Sequence, residues 1–388
     1  LYDVVVAGGG PIGSYVASRL AGEGYKVIVL ERRQRVGEQV CCTGIVGQEC
    51  VNSFAIAESL ILRKINSAKL FSPSGSLLQL WREETQAYVL DRAAFDIAMA
   101  NRAQDSGAEY ALDCLVKDIE VKEDRVKVKA FHQQTALNFE AKATVIATGF
   151  GSGLTHRVGL GSVSDFAHGV QTEVATNGID EIEVYFGREI APGFFGWLVP
   201  ISPRRALVGL LSRRQPGLYL QKLLTSLLAQ GKIVSPQAEP NYGGIPLKPL
   251  AKTYAKRLIV VGDAAGQVKP TTGGGIYYGL LCAEIAANTL HHALQTDDLS
   301  AQELAKYERE WQRRVGRELK TGYWARKLFE RLSDRQLDRI FDLVKAHGIA
   351  DALLKAKDLS FDWHSKAVLR LIGYTVISQV IGKTSSQD

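Results

Sequence analysis

Gly8, Gly10 and Gly13 lie between an apolar, β-branched run (Tyr2 to Ala7) and a stretch with helical apolar spacing (Tyr15, Val16, Arg19, Leu20). The chemistry this pattern supports is pyrophosphate binding. Gly8 permits a tight turn, Gly10 lets a phosphate approach the backbone, and Gly13 lets helix and strand pack closely. A helix opening at Pro11 would offer its unpaired N–H groups and partial positive charge to the anion. Glu31 follows 18 residues after Gly13, where a second apolar run (Lys26 to Leu30) ends. A carboxylate there accepts hydrogen bonds from a ribose diol and repels a 2′-phosphate, so NAD or FAD fits better than NADP. A second constellation, Gly262-Asp263-Ala264-Ala265-Gly266, follows the run Leu258 to Val261 and precedes a glycine-rich turn and an apolar helix.

The elements that position these groups can be read from periodicity. Strand, glycine turn, helix and second strand make a βαβ unit at the start. Arg92 to Ala103 has helical spacing closed by Gly107, Leu115 to Val121 and Val126 to Phe131 read as a hairpin, and Ala143 to Thr148 is a buried strand. Between 161 and 250 the character changes. Strand-like runs (Glu183 to Phe186, Phe194 to Val199, Ala206 to Leu211) alternate with Pro/Gly turns, as in an antiparallel sheet. A long helix is predicted from about Gly275 to Leu294, and from Ser300 onward the chain reads as charged helix.

The 388 residues are 46% hydrophobic and 23% charged, which excludes disorder and small disulfide scaffolds. A net charge of +6 is a mild excess at this length and does not mark a nucleic-acid binder. Five cysteines (Cys41, Cys42, Cys50, Cys114, Cys282) without C-x-x-C pairs argue against zinc and for a reducing compartment, and a strained Cys41–Cys42 disulfide is not favoured. The seven histidines show no triad or metal spacing, and His291-His292 reads as capping of a helix C-terminus. Position 2 onward reads as core strand, so no signal peptide is expected, and no apolar run reaches 18 residues. The expected setting is cytoplasmic, at most peripheral on the inner face of the cell membrane. Val368, Leu371, Ile372, Val376, Val380 and Ile381 make an apolar face that suits either a membrane interface or packing on the protein itself.

The Gly8–Gly13 fingerprint, Leu90-Asp91-Arg92-x-x-Phe95-Asp96 and the Gly262-Asp263 turn together resemble the flavoprotein hydroxylase superfamily. Within it, three segments look like the geranylgeranyl reductase family: Gly262 to Ile276, Pro192-x-x-Phe195-x-Trp197-x-Val199-Pro200, and Cys42-Thr43-Gly44. The resemblance implies an α/β fold: a Rossmann-like FAD-binding domain with an inserted antiparallel β-sheet substrate domain and C-terminal helices. It implies FAD as cofactor and saturation of prenyl double bonds. The domains expected are a discontinuous FAD-binding part (1–66, 90–160 and 251–299), a substrate part (67–89 and 161–250) and a helical region (300–388). FAD contacts are expected at Gly8, Gly10, Pro11, Ile12, Gly13, Glu31, Arg32, Cys42, Thr43, Gly44, Arg92, Val116, Thr148, Gly149, Gly262, Asp263, Gly274, Gly275 and Ile276. Substrate contacts are expected at Phe194, Phe195, Trp197 and Pro200, aromatic and apolar residues that would suit a prenyl chain; an ordinary sheet core is the alternative.

Alkene reduction needs a hydride and a proton, so an acid must stand near the flavin. The candidates are Cys42, Tyr277, Tyr278 and bound water, with Cys42 the catalytic expectation and a buried structural thiol its alternative. Two departures from the family pattern bear on this: Phe195 stands where Tyr is usual, and Val199 where Phe is usual. The stretch Ala147-Thr148-Gly149 lacks the Asp of the hydroxylase branch, which weakens a monooxygenase reading. With one dinucleotide fingerprint, the reductant would dock transiently, as NAD(P)H or a ferredoxin-type protein. The rival functions are an aromatic monooxygenase of the same fold and a non-redox, carotenoid-type cyclase.

Overall fold

The computed structural model describes residues 1–349, 360–363 and 365. The apolar face expected on Val368 to Ile381 lies outside them. The chain forms two compact units: Leu1–Val40, Asp91–Phe166 and Gly244–Leu319 make one, and Cys41–Leu90, Ala167–Gly243 and Lys320–Asp388 the other.

The first unit is built on an eight-stranded sheet. Its main path runs Tyr254–Ala255, Leu258–Val260, Thr135–Ile146, Tyr2–Ala7, Val27–Leu30, Glu109–Ala111. The first strand pairs in parallel with Val27–Leu30 and with the end of Thr135–Ile146, in register Val4↔Val27 and Val4↔Ala143. Central strands buried on both faces carry no polar alternation, which is why Val4, Val5, Val6 and Ala7 are all apolar and fully buried. One face packs with Ile28, Leu30, Val126, Val128 and Val260. The helices Pro11–Gly22, Arg92–Asp105 and Ile276–Gln295 pack together. The buried strand expected from Ala143 is the end of a 12-residue strand, whose first half pairs antiparallel with Val126–His132 and extends the predicted hairpin. Short-range alternation does not distinguish one long strand that changes partners from two shorter ones.

The second unit carries an eight-stranded sheet with the path Ile233–Pro236, Phe166–Thr176, Arg205–Ser212, Gly196–Ser202, Ile182–Tyr185, Ser67–Phe71, Leu77–Trp81. Along this path the pairings are antiparallel except for Ile182–Tyr185 with Ser67–Phe71. Helix Pro216–Ala229 buries Leu220, Leu223 and Leu227, and Leu223 lies against Gly196, where a Cβ would meet its Cδ2 at 2.9 Å. Segment 41–66, which the sequence reading grouped with the FAD part, lies in this unit. The reason is pairing: Ile45–Gly47 and Ile61–Ile65 flank Ala87–Leu90 in a three-stranded sheet, and Ile65, Ala87 and Val89 share a core with Ile182 and Val199. Helix Ala301–Trp311 belongs to the first unit and Asp334–Ala346 to the second, so the charged region after 300 is divided between them.

Candidate functional site

In the first unit the backbone shapes the site. Gly8 has φ +109°, and a Cβ there would lie 2.4 Å from the Ala147 carbonyl oxygen; one on Gly13 would lie 2.0 Å from the Gly8 oxygen. Neither position tolerates a side chain. At Gly10 a Cβ would meet nothing within 4 Å, so its missing side chain leaves open space. Helix Pro11–Gly22 starts beside that space with Pro11 in its first turn, no side-chain N-cap and no acid there. Its first N–H groups are therefore left for an anion.

Glu31 closes the loop. Its Oε2 accepts from the Gly9 N–H (2.7 Å) and its Oε1 from the Arg33 N–H (2.9 Å), which fixes the carboxylate and leaves lone pairs for a diol. From below, the Tyr110 hydroxyl donates to Ser14 Oγ (2.8 Å), which donates to the Gly9 carbonyl (3.1 Å). Burial pushes the Tyr110 phenol up to about 12 and keeps it a donor.

Ile12 joins the two glycine motifs. A Cβ on Gly262 would lie 3.2 Å from its Cγ2, and one on Gly279 would lie 2.7 Å from its Cδ1. Asp263 is held beside Gly275, where a Cβ would come within 2.6 Å of Oδ1. Among the described residues no hydrogen bond is made to the Asp263 carboxylate. Burial raises it to about 6 while Arg92 pulls it down. Arg92 itself is bonded to Asp96 (Nη2–Oδ1, 2.8 Å). The Gly-Asp turn is braced from behind: the Gly262 N–H donates to Gln267 Oε1 (2.8 Å), Gln267 Nε2 donates to Tyr307 (2.7 Å), and the Tyr307 hydroxyl donates to the Val260 carbonyl (2.8 Å).

These features fit an FAD. Open space over Gly10 admits a pyrophosphate, Glu31 suits the adenosine ribose, and an unbonded carboxylate beside a glycine cradle suits a polyhydroxylated chain. Gly274, Gly275 and Ile276 open the long helix, which runs Ile276–Gln295. The Thr148 hydroxyl donates to Ser152 Oγ (2.8 Å), and Gly149 at φ +69° faces open space. Arg32 is exposed, whereas the Val116 side chain packs into the sheet's apolar core and offers a ligand only its backbone. Tyr277 and Tyr278 are 2% and 1% exposed, which removes them as proton donors to a bound substrate. His291 and His292 have partners of their own: the Tyr25 hydroxyl lies 3.2 Å from His291 Nδ1, and His292 Nδ1 lies 3.0 Å from Glu303.

In the second unit side chains shape the site. All five cysteines are free. Cys42 is half-buried, and its Sγ accepts from the Gly44 N–H (3.4 Å); burial pushes the neighbouring Cys41 thiol up to about 11. The Thr43 hydroxyl donates to Gln171 Oε1 (2.8 Å), and the Trp197 indole N–H donates to the same oxygen (3.3 Å). Because an indole only donates, the amide oxygen of Gln171 must face it. This buried glutamine therefore ties the Cys42–Gly44 loop to the predicted Trp197.

From Trp197 half-buried rings continue to Phe195 (centroids 6.0 Å apart), then Phe186 (6.3 Å), then Phe329 (5.7 Å). Phe194 does not join this row. Phe194 and Phe195 precede the strand, which starts at Gly196, and the turn that bonds the Phe194 N–H to the Ala191 carbonyl buries Phe194 to 1%. Arg326 stacks on it at 4.5 Å and Arg213 at 5.6 Å, while Glu330 pairs with Arg213 at 2.8 Å. Pro200 is buried within its strand. Neither Phe194 nor Pro200 therefore offers side-chain surface to a substrate. Sequence reasoning missed Gln171, Gln267 and Tyr307: Gln171 and Tyr307 act on segments distant in sequence, and Gln267, five residues past Gly262, acts through a side-chain orientation that periodicity does not record.

The lycopene cyclase protein family profile matches residues 3–353. The digeranylgeranylglycerophospholipid reductase of Methanocaldococcus jannaschii is 31% identical over 356 residues, covering 89% of this chain and 90% of that protein. A second enzyme of that name, from Methanothermobacter thermautotrophicus, is 31% identical and covers 87% and 90%. Among solved structures, a geranylgeranyl bacteriochlorophyll reductase-like protein from Thermoplasma acidophilum superposes with a TM-score of 0.84 at 26% identity, covering 96% of this chain and 95% of its own. A myxobacterial FAD-dependent chondrochloren halogenase shares the fold at 16% identity, with a TM-score of 0.69 and coverage of 89% and 90%. Nearly full-length matches of this kind, together with the cradle around Gly10, Glu31 and Asp263, mean that the chain belongs to the geranylgeranyl reductase family of FAD-dependent flavoproteins, within the wider group that the lycopene cyclase profile describes.

Proposed function

We propose that this protein saturates carbon–carbon double bonds of a geranylgeranyl-type prenyl chain on a lipid, with FAD as cofactor. The observation that carries this is the pairing of an open phosphate loop with Glu31 fixed above it by the Gly9 and Arg33 N–H groups. It holds the adenosine end of a dinucleotide and disfavours a 2′-phosphate. Bound and reduced, FAD supplies the hydride that an unactivated alkene needs. The first unit's residues bind and orient: the helix N-terminus at Pro11 takes the pyrophosphate, Asp263 takes hydroxyl donors, and Arg92 tempers the charge of Asp263.

In the second unit Phe195 and Trp197 line the prenyl chain, and Phe186 extends their row. Each methylene taken out of water there contributes ~0.8 kcal/mol. Cys42, on the loop tied to Trp197 through Gln171, is the proposed proton source at Sγ. The electron donor in this reading docks transiently, as NAD(P)H or a ferredoxin-type protein. No described helix is long and apolar enough to cross a membrane. In this reading the enzyme works in a cytoplasmic setting, peripheral to the inner face of the cell membrane where a prenyl lipid would reside.

The test is to incubate dithionite-reduced holoprotein with unsaturated prenyl lipids and follow product mass. The expected result is the gain of two hydrogen atoms per reduced bond, with one pair of electrons consumed. The lycopene cyclase profile gives a second reading, a non-redox cyclase. Product of unchanged mass, formed without consumption of reducing equivalents, would establish that instead. Full turnover by Cys42→Ala would remove the cysteine from the proton step.

A further inference from the structure

Helix Arg317–Phe329 has two unlike faces from Lys320 onward. The inner face carries Phe329, 5.7 Å from Phe186, and Arg326, stacked on Phe194 and bonded to the Gly193 carbonyl. On the outer face Trp324 is 64% exposed and Leu328 54% exposed, one helical turn apart. Two large apolar side chains adjacent on one exposed stripe are less common than scattered single ones.

The charge carried by residues 320 to 340 is sorted by sign. Between 320 and 340 there are three acids, and each is bonded to its own unit: Glu330 to Arg213 (2.8 Å), Asp334 to the Arg188 N–H (3.0 Å), and Asp338 to Ser72 (2.6 Å). The basic residues Lys320, Arg331, Arg335 and Arg339 are exposed, and none has an ion pair among the described residues. Lys327 lies over the Tyr323 ring at 5.5 Å, and that ring meets Trp324 edge-on at 5.9 Å. Lys320 lies one helical turn before Trp324, and the Arg331 N–H donates to the Leu328 carbonyl (3.1 Å), so the apolar pair is flanked at both ends by a basic residue that has no ion pair among the described residues.

We propose that this face docks the enzyme on an anionic lipid bilayer, with Trp324 and Leu328 entering the headgroup region and the basic rim meeting lipid phosphates. The charge complementarity selects this occupant over an apolar protein partner, which would gain nothing from an unpaired basic rim. The purpose of such docking rests on the prenyl-lipid reading above: the helix whose inner face bears Phe329, at the end of the aromatic row, would lie on the surface that stores the substrate.

The full chain loaded with FAD is floated with vesicles of equimolar phosphatidylcholine and phosphatidylglycerol, and with phosphatidylcholine alone. Binding is expected to the anionic vesicles and to weaken as salt rises. Trp324→Ser with Leu328→Ser should reduce binding by about tenfold or more. Lys320→Glu with Arg331→Glu should act as strongly while leaving the apolar pair in place. Both double variants alter exposed side chains, and their melting temperatures should match the parent's. Reduction of detergent-dispersed prenyl lipid should be unchanged in each.

Unaltered vesicle binding in both variants overturns the proposal. So does a parent protein that reduces detergent-dispersed lipid and ignores vesicles, in which case the reductase reading survives. A parent dimer that the Trp324 variant converts to monomer also overturns it, because the face would then belong to a second copy. Vesicle binding lost in the variants, with no hydrogenated product from any of them, upholds the surface and sinks the reductase reading instead.

Discussion

The two units build their sites in different ways. In the first, the cradle is backbone: Gly8, Gly13, Gly262 and Gly275 leave room, and the carboxylates of Glu31 and Asp263 are set against it. In the second, side chains reach across strands: Gln171 ties Thr43 to Trp197, and Arg326 is stacked between Phe194 and Phe329. A diphosphate-linked cofactor has the same shape each time it binds, so a rigid peptide mould suits it. A long hydrocarbon chain presents few polar handles, and adjustable rings suit it better.

If the contrast is real, the first unit should fail in function when a single atom is added, whereas the second should lose stability by degrees. Gly13→Ala puts a Cβ 2.0 Å from the Gly8 oxygen, and we expect colourless protein and at least about a 100-fold fall in prenyl reduction. Visible absorbance after soaking in FAD checks this; retained flavin would erase the difference between the units. In the second unit, Glu183 is buried, pairs with Lys232 (2.6 Å) and accepts from the Tyr185 hydroxyl. Glu183→Ala strands that ammonium and should cost about 3 kcal/mol by urea denaturation, with flavin absorbance kept.

The third prediction sharpens the cost of the first unit's mould. Burial raises the folded Asp263 above its ordinary value of 3.8 to about 6, so the folded state holds the proton more tightly than the unfolded chain. Flavin-free protein should therefore lose stability as pH rises from about 4 to about 6, by up to about 3 kcal/mol. Asp263→Asn should flatten that slope in thermal melts recorded across this range. Gln171→Leu leaves the Trp197 indole and Thr43 hydroxyl without their acceptor and should cost about 1–3 kcal/mol, together with a raised KM. The smallest effect belongs to a helix cap in the second unit. Ser333 and Gln336 form a capping box on helix Asp334–Ala346, and Ser333→Ala should cost ~1 kcal/mol in the same denaturation assay.

Legibility followed the same division. Gly8, Gly10, Gly13, Glu31 and Asp263 could be read from the chain because a backbone requirement leaves its mark at fixed offsets from a strand end. Trp197 and Phe195 were legible only through family resemblance. Gln171 was not legible, since its partners lie 128 residues before it and 26 after it, and no periodicity records such a meeting. Phe194 looked like part of an aromatic lining, but the turn at Ala191 delays the strand to Gly196 and puts the ring under two guanidinium groups. Segment 41–66 packs with the second unit for a related reason: its strands are short and take their place from Ala87–Leu90, a pairing invisible in local pattern.

The strand Tyr2–Ala7 sits between Val27–Leu30, which follows it closely in the chain, and a strand whose pairing residues, Ala141 to Ile146, emerge much later. That later strand in turn awaits Leu258–Val260 on its other edge. A ribosome must therefore deliver the chain through Val260 before the nucleotide-binding sheet can close, which makes its completion slow and leaves open edges on the nascent chain. No single cut in the gene would deliver both units intact, because neither is a continuous stretch of message.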